Sequence, residues 1–162
     1  MAATLRVGIL TCSDKGSRGE REDTAGPAVA ELLGPLAPEI VEKAIVPDDP
    51  DRIAATLEKW SDGGTINCLL TTGGTGLGPR DNTPEATRAV IEREVPGLAE
   101  VMRQAGLVHT PMAALSRGLA GVRGDALVEK CFRDVKVFDI FEGTGEVQRI
   151  VLARRLFGYP RT

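Results

Sequence analysis

Apolar residues recur along the chain in two rhythms. Arg6-Val7-Gly8-Ile9-Leu10-Thr11, Ile40-Val41 to Ile45-Val46, and Asn67-Cys68-Leu69-Leu70-Thr71-Thr72 are short runs bounded by turn residues. Runs of this length, apolar on both faces, predict buried parallel strands. Between them the spacing changes to that of helices. Asp49 can cap a helix that has Pro50 at its first position, Asp51 in its first turn, and Ile53, Leu57 and Trp60 on one face. Asp62-Gly63-Gly64 stops it. Thr83-Pro84-Glu85 repeats the start signal, with Val90, Ile91 and Val95 following. Pro96-Gly97 then separates this helix from Leu98–Val108, and Pro111 opens another through Leu119. The order βαβαβα predicts an α/β fold, a mostly parallel sheet between two layers of helices with right-handed crossovers.

From Asp125 onward the character changes. These 38 residues carry 7 basic and 6 acidic side chains, a balance of +1, against −4 for residues 1–124. Val135–Phe141 can form a strand, Glu142-Gly143-Thr144-Gly145 a turn, and Glu146–Leu156 an amphipathic helix. A helix over Asp125–Phe138 is the competing reading. The division expected is 1–124 as the main unit and 125–162 as an atypical tail that replaces the last strand and helix of the same domain.

Overall charge and cysteine usage narrow the classes of function. A net charge of −3 argues against a nucleic-acid binder held by bulk positive charge. No run approaches the ~18 apolar residues of a membrane span, and the first residues open no secretory leader, so a cytoplasmic protein is expected. Cys12, Cys68 and Cys131 lie far apart, and with His109 alone beside them a zinc site is nearly excluded. His109, two residues before Pro111, suits a helix end or packing role better than catalysis. Any metal should be a hard cation held by carboxylates and phosphate oxygens.

Chemistry collects where the predicted strands end. In an open parallel sheet, ligands bind outside the carboxyl ends of the strands. The first strand here is followed by Ser13-Asp14, the second by Pro47-Asp48, and the third by Thr72-Gly73-Gly74-Thr75-Gly76. Glycines at such a turn let successive backbone N–H groups face phosphate oxygens, and Thr72 and Thr75 add hydroxyls. The helix start at Thr83 adds a positive dipole end. The loop is neither a Walker A sequence nor a dinucleotide fingerprint. Taken alone, it reads more readily as a plain turn than as a phosphate site. Asp48 and Asp81 are suited to hold Mg²⁺ against phosphate, with Asp81 equally readable as a surface residue, whereas Asp49 beside Pro50 reads as a helix cap.

The run Thr71-Thr72-Gly73-Gly74-Thr75-Gly76-Leu77-Gly78-Pro79-Arg80-Asp81-Asn82-Thr83-Pro84-Glu85-Ala86-Thr87 resembles the central motif of molybdenum cofactor biosynthesis proteins. The likeness is greater to the molybdopterin adenylyltransferases and their MoaB-like relatives. It continues in Leu10–Asp14, Glu22–Pro27, Val46–Asp49, Pro96–Met102 and Ala113–Gly124, and so extends over residues 5–124. The resemblance implies the three-layer α/β/α sandwich of the molybdenum cofactor biosynthesis fold, assembled as a homotrimer or larger homo-oligomer. It implies Mg²⁺-dependent transfer of AMP from ATP to the terminal phosphate of molybdopterin, with release of pyrophosphate and a molybdenum insertase as a partner. On this reading Gly73, Gly74, Thr75 and Gly76, with Thr72, cradle phosphates, and Asp48 and Asp81 hold Mg²⁺ or orient the transfer. Asp23 is a third acidic contributor, and Ser13, Ser116 and Arg117 contact the pterin or its phosphate.

The Asn-Leu-Pro-Gly-Ser-Pro loop usual in that family after the last strand is absent. Residues 132–155 instead resemble the C-terminal end of acyl-CoA dehydrogenases, where the position of Glu142 would be a base. Thirty-eight residues cannot build a flavin and acyl-CoA pocket, and Glu142 is expected to be a solvated turn residue. Three functions follow for testing: an adenylyltransferase, a molybdopterin-binding scaffold without catalysis, and a hybrid chain whose activity is lost.

Overall fold

The computed structural model describes residues 4–124 and 126–130. Six strands form one sheet: β1 (Arg6–Cys12), β2 (Glu39–Val46), β3 (Cys68–Thr72), β4 (Arg93–Glu94), β5 (Ala120–Arg123) and β6 (Ala126–Lys130), in the spatial order β2-β1-β3-β6-β5-β4. From β2 to β6 all neighbours are parallel; β6–β5 and β5–β4 are antiparallel. The helices are α1 (Asp14–Ser17), α2 (Ala25–Leu33), α3 (Pro50–Asp62), α4 (Thr83–Val90) and α5 (Pro96–Leu107), with 3₁₀ turns at Gly34–Leu36 and Pro111–Leu115. No described helix is long and apolar enough to cross a membrane.

Alternation along the central strands feeds two cores. Leu10, Leu69 and Val128 pack on one face of the sheet with Ile53, Leu57 and Trp60 of α3 and Val90 of α4. Val7, Ile9, Leu70 and Leu127 pack on the other with Val29 and Leu33 of α2. Each such side chain contributes roughly 1.5–3 kcal/mol of burial. Gly8 makes room for α3, because a Cβ there would stand 2.9 Å from the Trp60 ring. The expected cap is in place: the Asp49 side chain accepts the Arg52 N–H at 3.0 Å.

The antiparallel half departs from the expected βαβαβα order. The helix that starts at Thr83 ends at Val90, short of Val95, because Ile91 turns extended (φ −70, ψ 143). Residues 92–95 then run along β5, with Glu92 N–H to Val122 O at 2.8 Å and Val95 N–H to Ala120 O at 2.7 Å. Gly121 permits that close approach, since a Cβ there would lie 2.7 Å from the Arg93 carbonyl oxygen. The helix expected from Pro111 to Leu119 is a single 3₁₀ turn that ends at Leu115, after which the chain enters β5.

Residues 126–130 form a strand between β3 and β5, not the start of the helix weighed over 125–138. The main sheet therefore extends past residue 124. The expected strand at 135–141, the turn at 142–145 and the helix at 146–156 lie outside the described residues.

Candidate functional site

The carboxyl ends of β1, β2 and β3 meet at one end of the sheet, and backbone contacts draw their loops together. Ser13 N–H donates to Val46 O at 2.8 Å, which joins the ends of β1 and β2. Gly73 (φ +90) sits so close to β1 that a Cβ would stand 2.1 Å from the Cys12 carbonyl oxygen. Gly74 (φ +60) lies beside the Thr83 hydroxyl and the Asp48 carboxylate, at 2.4 and 2.9 Å from the position a Cβ would take. Only glycine combines those positive φ angles with that lack of space. Thr83 N–H closes the loop onto Gly74 O at 3.2 Å.

Buried polar atoms without partners accumulate here. Among the described residues, Asp48 Oδ1 and the hydroxyls of Thr71, Thr72 and Thr83 are buried with no hydrogen-bond partner. Such groups are rare in folded proteins and call for an explanation. A bound ligand with cationic and phosphate groups would provide one. Burial pushes the Asp48 carboxyl above its ordinary value. The neighbouring Asp14 and Asp81 charges add to this, and the backbone N–H of Asp14 acts against it.

Asp81 lies near enough for its charge to act on Asp48, and its Oδ2 accepts the Gly78 N–H at 2.9 Å. Among the described residues no group of three or more His, Cys, Asp or Glu could hold a metal ion. The residues present fit Mg²⁺ all the same. That ion is commonly bound by one or two carboxylates plus substrate phosphates, and Asp48 Oδ1 is an unused oxygen donor beside the loop.

The remaining candidates fall into two groups. Thr75 is buried within the loop, and Gly76 O accepts Arg117 Nε at 3.0 Å. Arg117 also donates to Asp81 O and pairs with Glu85, so it clamps the loop to the start of α4. Ser13, Asp23 and Ser116 make local bonds instead. The Ser13 hydroxyl accepts Gly16 N–H at 3.1 Å. Asp23 Oδ1 accepts the Ala25 and Gly26 N–H groups, each at 3.0 Å, and its Oδ2 accepts the Thr11 hydroxyl at 2.9 Å, which fastens α2 to β1. Ser116 Oγ accepts Gly118 N–H at 3.3 Å.

Asp14, which the sequence already placed at the end of the first strand, joins Arg80 and Glu85, whose part in the site the sequence reading missed. Arg80 grips the Asp14 carboxylate with Nη2 at 2.8 Å and Nε at 3.1 Å, and this holds Asp14 below the usual carboxylate range. For Arg80 a signal was there to find: it is the one basic residue between Gly73 and Asn82.

Known proteins share this sequence and fold. Residues 8–135 match the family described as the probable molybdopterin binding domain. The chain is 37% identical to the molybdopterin adenylyltransferase of Escherichia coli K12, over 95% of this chain and 80% of that protein. It is 43% identical, over 77% of its own length, to the Drosophila melanogaster molybdenum cofactor synthesis protein cinnamon, of which it spans 21%. The structure of the molybdopterin biosynthesis enzyme MoaB from Thermus thermophilus superposes with a TM-score of 0.81 at 45% identity. That superposition covers 98% of this chain and 100% of the other.

Proposed function

The chain belongs to the molybdopterin-binding family of molybdenum cofactor biosynthesis, and we propose that it is a molybdopterin adenylyltransferase. The observation that carries the reading is the set of unpartnered buried oxygens on Asp48, Thr72 and Thr83 around the Gly73–Gly76 turn.

An oxygen of the terminal phosphate of molybdopterin attacks the α-phosphorus of ATP. The new P–O bond forms as the bond to the β-phosphate breaks, and pyrophosphate leaves with that electron pair. No covalent enzyme intermediate is needed; the protein aligns two anions and offsets their charge. Backbone N–H groups of residues 73–76 and the hydroxyls of Thr72 and Thr83 receive phosphate oxygens. Arg117 keeps the loop in shape through Gly76 O and Asp81 O. Asp48 and Asp81 are the residues that would hold Mg²⁺. The ion, when bound, neutralises charge on the phosphates. Ser13, Asp23 and Ser116 set the backbone around the site through the bonds described above.

We read the protein as cytoplasmic and as a homotrimer or larger assembly that delivers its product to a molybdenum insertase. The chain beyond residue 130 is read as part of the same domain. The alignment with the Escherichia coli enzyme supports this, since at 95% of the chain it runs well past residue 130.

Mass spectrometry of the protein incubated with molybdopterin and MgATP, with and without chelator, tests the proposal. The expected result is a chelator-sensitive adenylylated pterin. Pterin bound without adenylylation would overturn the enzyme reading in favour of a scaffold.

A further inference from the structure

Three loops meet at the site, and one residue links them. Asp14, at the end of β1, donates its N–H to Asp48 Oδ2 at 2.9 Å. Asp48, at the end of β2, returns its N–H to Asp14 Oδ1 at 3.1 Å. Arg80, from the glycine loop after β3, closes the set with its two-pronged grip on the same Asp14 carboxylate. This arrangement occupies one Asp48 oxygen and fixes its carboxylate plane. The other oxygen, Oδ1, is left buried and unpartnered beside Gly74 and Thr83.

We infer that Asp14, oriented by Arg80, is the positioning residue for Asp48: its main-chain N–H holds Oδ2 while its carboxylate, gripped by Arg80, holds the Asp48 N–H, so that Oδ1 faces the phosphate loop, ready for a divalent cation. The inference rests on the reading of Asp48 as a cation ligand and adds how that ligand is aimed. Stability gives no comparable reason for the Arg80–Asp14 pair. Its side chains are 61% and 28% exposed, and pairs so open to water contribute little to folding. A planar guanidinium does, however, impose a direction that a point charge cannot. The residue behind a metal-binding side chain commonly matters this way, because it orients a donor that would otherwise rotate.

The test is Mn²⁺ binding to the full-length protein, followed by the electron paramagnetic resonance signal of free Mn²⁺, with melting temperature recorded alongside. Asp14→Asn and Arg80→Gln should each weaken Mn²⁺ binding about ten-fold. Both should melt within about 3 °C of wild type. Arg80→Lys, which keeps the charge without the fork, should recover only part of the loss. Asp48→Asn is the reference for loss of the ligand itself. Wild-type Mn²⁺ affinity in Asp14→Asn and Arg80→Gln, with affinity lost in Asp48→Asn, would overturn the inference and leave Asp48 as ligand. Loss of affinity only in step with a fall in melting temperature would also overturn it, as a structural role. Undiminished binding in Asp48→Asn would overturn the ligand reading and the inference together.

Discussion

The two halves of the sheet treat exposed and buried chemistry in opposite ways. In the parallel half, β2-β1-β3-β6, the strand ends bury oxygen atoms that have no partner among the described residues. In the antiparallel half, the arm formed by α5 and the following 3₁₀ turn leaves apolar side chains in water. Leu107, Val108, Met112 and Leu115 are 48, 80, 58 and 49% exposed. Strand direction accounts for the first pattern. Parallel neighbours deliver all their carboxyl-end loops to the same edge, so polar groups from β1, β2 and β3 converge. Antiparallel neighbours deliver theirs to alternate edges, and no such convergence arises. The unsatisfied half is therefore the chemical one.

The largest contrast should appear in catalysis. Asp81→Asn should lower adenylyl transfer by on the order of 10²–10³-fold, as loss of one preorganised charge typically does, with the circular dichroism spectrum unchanged. Wild-type turnover in that variant would remove Asp81 from the mechanism. Next in size is a change to the backbone of the same half. Gly73→Ala must accept both a φ of +90 and a Cβ against the Cys12 carbonyl oxygen. It should cost about 3 kcal/mol in chemical denaturation. A loss well under 1 kcal/mol would mean that loop and strand are not pressed together as described.

The other half should respond far less. Val108→Asp places a charge where the side chain already meets water, so unfolding free energy should shift by no more than about 0.5 kcal/mol. A larger shift, measured by denaturant titration, would show that the arm is buried in the working protein. The smallest effect is electrostatic. Arg123 bonds Asp62 through both carboxylate oxygens at 2.8 Å and holds that carboxyl below its ordinary value. A depressed carboxyl stabilises the folded state above its unfolded pKa, and the contribution disappears as pH falls through the folded value. The difference in denaturation midpoint between wild type and Asp62→Asn should thus be present at pH 7 and close at acid pH. A difference that persisted at acid pH would assign it to something other than this ion pair.

Much of the parallel half was legible in the sequence because its signals are local. The runs around Val7–Leu10 and Cys68–Thr72, the Asp49-Pro50 helix start and the Gly73–Gly76 turn each state their conformation within a few residues. The antiparallel half was misread where local and distant terms disagree. Thr83-Pro84-Glu85 starts a helix in both readings, but its end is set by pairing with β5, which Gly121 makes possible from thirty residues away. The site divides in the same way. Asp48 and Asp81 stood out as carboxylates beside glycines. Asp14 and Arg80, 66 residues apart, acquire meaning only when β1 and β3 lie side by side.

The position of β6 bears on the order in which the protein can be made. It lies in the interior of the sheet, yet it comes from residues 126–130, after every other described strand. As the chain leaves the ribosome, β2, β1 and β3 can pair as soon as β3 has emerged. The ribbon of β4 and β5 is available next but has no partner strand on the sheet until β6 arrives to seat it. During that interval the free edge of β3 is exposed to any other extended segment, including the same edge on a neighbouring nascent chain. A chain cut short before residue 126 would thus lose β6 and with it the anchorage of β4 and β5, though it keeps every residue proposed to touch the nucleotide.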